Sequence, residues 1–195
     1  MTSELTITYD YLCPFARIAN EALVEYLDQG ADVDVRFVPF SLHENSLPDD
    51  TASVWDRPDG AEGPGVLALL WSLAVREAHP DLFATFHVSL FNARHDDGAD
   101  INDASELAAI ATDVGLDAAA IAEQVDTGIP MKVLEKEHSA LVADHAVFGV
   151  PTFISGDEAV FVRLMQRHAV DDIARTIDML TWTNMNEYKR TRVPR

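Results

Sequence analysis

Apolar and polar residues alternate over Leu5-Thr6-Ile7-Thr8-Tyr9, the period of two expected of a half-buried strand. The period then lengthens. From Pro14 to about Gln29, Ile18, Leu23, Val24 and Leu27 recur at helical spacing, and Gly30 is placed to stop the helix. Val33-Asp34-Val35-Arg36-Phe37-Val38 alternates again. A β-α-β unit of this length predicts two parallel strands joined by a right-handed crossover.

Residues 41 to about 64 read as loop, with Asn45, Pro48, Pro58-Asp59-Gly60 and Gly63-Pro64-Gly65 as breakers. From Val66 to about Phe148 the spacing is almost wholly helical. Val66-Leu67, Leu69-Leu70 and Leu73-Ala74 mark one helix. Pro80 starts a second through Phe83, Phe86, Leu90 and Phe91. Asp103 with Glu106 has the pattern of a capping box, Asp117 caps a fourth helix, and Pro130 sits in the first turn of a fifth that ends near Gly149. The period shortens once more at Val150-Pro151-Thr152-Phe153-Ile154. A turn at residues 155–158 leads to an antiparallel partner at Ala159–Val162, and Asp171 or Asp172 opens a last helix through Ile173, Ile177 and Leu180.

At 195 residues the chain suits one domain, or one domain carrying a large insertion. Its net charge of −19 argues against nucleic acid and anionic membrane as general partners. No apolar run approaches the roughly 18 residues of a membrane span. Met1-Thr2-Ser3-Glu4 runs into the first strand with no basic, apolar or cleavage region of a leader. One cysteine rules out an intrachain disulfide framework, so the cytosol is the expected compartment. The tail from Tyr188, with Lys189, Arg190, Arg192 and Arg195, reads as a flexible arm or one that packs on the acidic body.

That single cysteine, Cys13, falls where the first strand hands over to the first helix. A thiol there faces unsatisfied N–H groups and the positive end of the dipole, which favour thiolate. The expectation is a nucleophile of lowered pKa. Where a second cysteine would complete Cys-x-x-Cys stands Ala16. Other chemistry finds little support. His138 and His145 share a helical face, but no third ligand at metal spacing accompanies them and no metal site is expected. There is no serine-nucleophile elbow, P-loop or dinucleotide fingerprint, so no tightly bound cofactor is expected.

Asp10-Tyr11-Leu12-Cys13-Pro14-Phe15 resembles the D-x-x-C-P-[WF]-C opening of the DsbA-like thioredoxin superfamily. Gly149-Val150-Pro151-Thr152-Phe153 resembles its G-V-P-T-F segment, and Leu90 to Gly98 followed by Ile101 resembles the lid of its FrnE and 2-hydroxychromene-2-carboxylate isomerase branch. Glu187 to Arg192 is similar to the end of mycothiol-dependent members. The resemblance implies an α/β thioredoxin fold (βαβ…ββα) with a large all-helical insertion. Residues 1–40 and 149–195 would form the discontinuous thioredoxin domain, and 41–148 the helical lid with its connecting loop. It also implies a cis proline at Pro151 facing Cys13, substrate contacts from Pro14, Phe15, Val150 and Pro151, and His95 over the entrance.

Without a second cysteine the implied chemistry is monothiol, glutaredoxin-like oxidoreduction, with glutathione or mycothiol as co-substrate. Two alternatives stand beside it. One is a thiol-dependent isomerase or S-transferase of the chromene-carboxylate isomerase or kappa-class glutathione transferase kind, acting on a small electrophilic or aromatic molecule. The other is a redox-silent binding module. The apolar lid helices leave a homodimer open.

Overall fold

A computed structural model describes residues 4–193. Met1, Thr2 and Ser3, on which the absence of a leader was read, and Arg195 of the basic tail lie outside the described residues. Strand β1 (Leu5–Tyr9) leads into helix α1 (Pro14–Asp28) and returns as β2 (Val35–Pro39). β1 and β2 are parallel, in register from Leu5 opposite Val35 to Tyr9 opposite Pro39. β3 (Thr152–Ser155) lies antiparallel on the other side of β1 and pairs with β4 (Glu158–Phe161), giving the order β2-β1-β3-β4. Helix α8 (Val170–Met179) packs on α1.

Six helices separate β2 from β3: α2 (Leu42–Asn45), α3 (Val66–Ala78), α4 (Pro80–Asn92), α5 (Ala104–Asp113), α6 (Ala118–Asp126) and α7 (Ile129–His145). α4 runs on into a π-helical turn at Ala93–Asp97. The βαβ…ββα order with a helical block inserted after β2 is the thioredoxin fold that the resemblance implied.

Where expectation and structure differ, the cause is local chemistry. β1 is not half-buried: Thr8, on its polar face, is covered, and its Oγ1 accepts the Thr152 N–H at 2.8 Å. A threonine satisfied by a cross-strand N–H hides easily among apolar neighbours. β2 begins at Val35 rather than Val33, and β4 covers Glu158–Phe161. α7 stops at His145 because Ala146 turns left-handed at φ 51° and its N–H closes on Val142 O. The loop after β2 is partly helical, with Ser41 Oγ capping α2 through the Glu44 N–H at 3.1 Å. Asp103 caps α5 through the Ser105 N–H, but its own N–H donates to Asp100 O and not to Glu106, so the reciprocal half of the box is not made. Asp171 and Asp172 lie inside the first turn of α8, with Ala169 at its cap.

The α4 face that meets β1 carries a polar chain through the core. Asn20 Nδ2 donates to Ala16 O at 2.8 Å, which turns Asn20 Oδ1 toward His87 Nε2 at 3.0 Å. His87 therefore carries its proton on Nε2, leaving Nδ1 to accept the Tyr11 O–H at 2.7 Å. His87 is fully buried among Tyr9, Phe37, Phe83 and Phe91, and burial pushes its pKa down to about 3. In sequence His87 carried no signal of its own beyond its place between Phe83 and Phe91 on one helical face.

A depressed folded pKa contributes stability above the unfolded value of about 6.5 that is lost as pH falls toward about 3. His87→Leu leaves Tyr11 Oη and Asn20 Oδ1 without partners, and should cost about 2–4 kcal/mol near neutrality. Urea unfolding at about pH 7 and about pH 4.5 should show that gap narrowing in acid, because only the wild type loses this contribution. A gap that stays constant would mean His87 titrates in the fold as it does in the unfolded chain.

Candidate functional site

The turn between β1 and α1 is held from below by a carboxylate. Asp10 is fully buried, its Oδ1 accepting the Leu12 N–H at 2.9 Å and its Oδ2 the Leu42 N–H at 2.8 Å. Asp10 O also accepts the Cys13 N–H at 3.0 Å, which closes the turn. Gly65, at the head of α3, has φ +74°, and a Cβ there would stand 2.9 Å from Leu12 Cγ. Only glycine lets α3 approach the turn this closely.

Cys13 is the N-cap of α1, with Pro14 as the first helical residue. Its Sγ accepts the Ala16 N–H at 3.4 Å and donates to Val150 O at 3.4 Å. The Val150–Pro151 peptide is cis. Val150 and Pro151 are buried, and Pro151 O accepts the Val162 N–H at 3.2 Å. Cys13 and Phe15 are half-buried, and Pro14 is exposed. Cys13 thus meets Val150 across the fold, with Phe15 two residues after the one and Pro151 next to the other.

The thiol does not have the lowered pKa expected of a helix N-terminus. Burial pushes Cys13 up, and the N–H groups of Ala16 and Phe15 recover only part of that rise. Asp10 pushes the thiol further up, and the guanidinium of Arg163 pulls it down. Desolvation of the sulfur outweighs the helix end. Asp10 itself is pushed up to about 6 by burial, in spite of its two N–H partners.

His95 lies in the π-helical turn after α4. Its Nε2 donates to Tyr11 O at 2.9 Å, two residues before the cysteine, and burial lowers its pKa. It braces the turn rather than the thiol. The same turn is fastened to α1 by a charged cluster. Arg17, buried on α1, binds Glu21, Asn92 and Asp96, while Arg167 forks onto both oxygens of Glu21 at 2.8 and 2.9 Å.

Outside the cysteine runs an aromatic ledge. Phe148 is 66% exposed and its ring centroid lies 5.0 Å from that of Phe161. The Arg163 guanidinium sits over both Phe161, at 5.4 Å, and Phe15, at 5.2 Å. Sequence reasoning gave no role to Arg163, Phe148, Phe161 or Asp10. Asp10 was visible within the D-x-x-C motif, but Arg163 follows β4, and nothing in its local spacing points back to Cys13. His138, by contrast, is core: it stacks on Phe40 at 4.3 Å and burial pushes its pKa down to about 4.

A raised carboxyl pKa contributes stability that is full below the unfolded value of about 4 and is lost as pH rises through about 6. The stability of the wild type minus that of Asp10→Asn should therefore fall by about 2–3 kcal/mol between about pH 4 and about pH 7. Denaturant titrations of the two proteins across that range measure it. A flat difference would mean Asp10 titrates as it does in the unfolded chain.

The family model of the DSBA-like thioredoxin domain matches residues 66–177. The uncharacterized protein YwbO of Bacillus subtilis is 25% identical over 190 residues, covering 82% of this chain and 90% of its own. Among solved structures, a 2-hydroxychromene-2-carboxylate isomerase superposes with a TM-score of 0.64 at 18% identity, covering 93% of this chain and 97% of its own. BdbD from Bacillus subtilis gives 0.62 at 21%, covering 91% and 86%, and the oxidoreductase DsbA from Xylella fastidiosa gives 0.59 at 19%, covering 93% and 86%.

Proposed function

Because the chain belongs to the DSBA-like thioredoxin domain family, we propose that it is a monothiol oxidoreductase in which Cys13 exchanges with a low-molecular-weight thiol, glutathione or mycothiol. The observation that carries this reading is the lone sulfur at the head of α1, set against Val150 O with Ala16 where a second thiol would stand. Cys13 loses its proton to solvent, and the thiolate attacks one sulfur of a disulfide RSSR. The Sγ–S bond forms, the S–S bond breaks, and RS⁻ leaves to take a proton from water. A second thiolate then attacks the mixed disulfide and releases Cys13. The sum is a thiol–disulfide exchange, one thiol and one disulfide in and one of each out, and no electrons are stored in an internal disulfide. The lone cysteine fits a cytosolic setting, where such thiols circulate.

The second reading is a thiol-dependent isomerase. The superposition on a 2-hydroxychromene-2-carboxylate isomerase and the upward push on the Cys13 thiol both favour it, since a protonated sulfur suits hydrogen bonding better than attack.

Incubation with glutathione disulfide or mycothiol disulfide should give a single one-thiol mass adduct, lost in Cys13→Ala and released by excess thiol. Alkylation by a neutral reagent should keep accelerating beyond the free-cysteine pKa of about 8.5, because the folded thiol titrates above its ordinary value. No adduct after prolonged incubation with either disulfide defeats the oxidoreductase reading. Isomerase activity that survives Cys13→Ser would put the second reading in its place.

A further inference from the structure

Arg163 is an oddly spent cation. In a protein of net charge −19, carboxylates are abundant, and Arg17, Arg36, Arg76, Arg167 and Arg175 each bind at least one. Arg163 binds none among the described residues, and neither do Arg57, Arg94, Arg190 and Arg192; what sets the exposed Arg163 apart is that its guanidinium lies over aromatic rings. The guanidinium carbon lies 5.2 Å from the Phe15 ring centroid and 5.4 Å from that of Phe161, and Phe148 packs against Phe161 in a tilted pair with centroids 5.0 Å apart. A guanidinium held by ring faces keeps its planar fork of N–H donors for an incoming oxyanion. Phe15 is two residues from Cys13, and the charge of Arg163 is felt at the sulfur.

We propose that Arg163 is the anchor for a carboxylate on the thiol or disulfide that reacts at Cys13, so that the protein selects small anionic sulfur compounds over neutral ones. The aromatic ledge of Phe15, Phe161 and Phe148 pre-orients the fork, and the carboxylate docks there while its sulfur lies toward Sγ and Val150 O. One local cation against a strongly acidic body also limits the ligand: a small molecule with one or two charges gains from Arg163, whereas a polyanion is repelled by the rest of the surface. The proposal rests on the reading of Cys13 as a reactive thiol, and it goes beyond that reading by choosing between its two co-substrates: glutathione, which carries carboxylates, over mycothiol, which carries none.

Two reagents of similar size and different charge test it. Cys13 is alkylated with iodoacetate, an anion, and with neutral iodoacetamide, and the ratio of the two rates is compared between wild type, Arg163→Gln and Arg163→Lys. Loss of the cation shifts the thiol pKa, but it does so equally for both reagents, so that effect cancels in the ratio. Arg163→Gln should lower the iodoacetate-to-iodoacetamide ratio about fivefold, the size of one charge pair at contact in water. Arg163→Lys should recover part of it. Mixed-disulfide formation with glutathione disulfide should fall in the same way relative to neutral 2-hydroxyethyl disulfide. A ratio that Arg163→Gln leaves unchanged overturns the anchor while the reactive thiol stands. A wild-type Cys13 that iodoacetamide does not touch overturns the reactive thiol, and the anchor falls with it. Arg163 is exposed and follows a strand, so both variants should fold, and an unchanged thermal midpoint checks that they have.

Discussion

The geometry around Cys13 depends on one buried carboxylate. Asp10 accepts backbone N–H groups from two segments that are remote in sequence, the turn at Leu12 and the start of α2 at Leu42. Without an acceptor those N–H groups would be orphaned in a water-poor region, at a cost of about 1–3 kcal/mol each. The carboxylate therefore fixes the path of the chain just before the cysteine, and it couples that path to the loop that follows β2. It also opposes ionisation of the sulfur above it. The same group that shapes the turn before the thiol adds to the upward push that burial exerts on its pKa.

Much of this fold could be read from periodicity. The switches between period two and helical spacing located β1, α1, β3 and the helical block, and the two motifs around Cys13 and Pro151 brought distant segments to one point. What periodicity could not give was anything decided by side chains meeting across the core. Thr8 looked solvent-facing because alternation does not distinguish a wet face from one covered by helices. His87 looked uninformative because its partners, Tyr11 and Asn20, lie 76 and 67 residues away. The misjudged thiol is the most instructive case. The helix end was legible at Pro14, but the desolvation that outweighs it comes from residues that only the folded chain assembles.

Polar bonds rather than apolar packing alone hold the helical block to the sheet. On one side the cluster of Arg17, Glu21, Asn92, Asp96 and Arg167 joins α1, the end of α4 and the segment before α8. On the other, Arg76 of α3 binds Glu137 of α7 and Phe37 O of β2, and Arg36 of β2 binds the same Glu137. Buried charges of this kind are costly to break one at a time, since the partner left behind stays desolvated.

Ala16 has a consequence for equilibrium as well as for mechanism. A protein with two neighbouring thiols consumes one disulfide and releases two thiols when it oxidises, so its poise depends on the square of the thiol concentration and shifts with dilution. A lone sulfur that trades with a disulfide, as proposed for Cys13, releases only one thiol for each disulfide consumed. Its occupancy then follows the ratio of disulfide to thiol and is indifferent to how much of both the surroundings contain. On that proposal, the plain methyl of Ala16 in place of a second thiol makes the site a gauge of oxidation alone rather than of pool size and oxidation together.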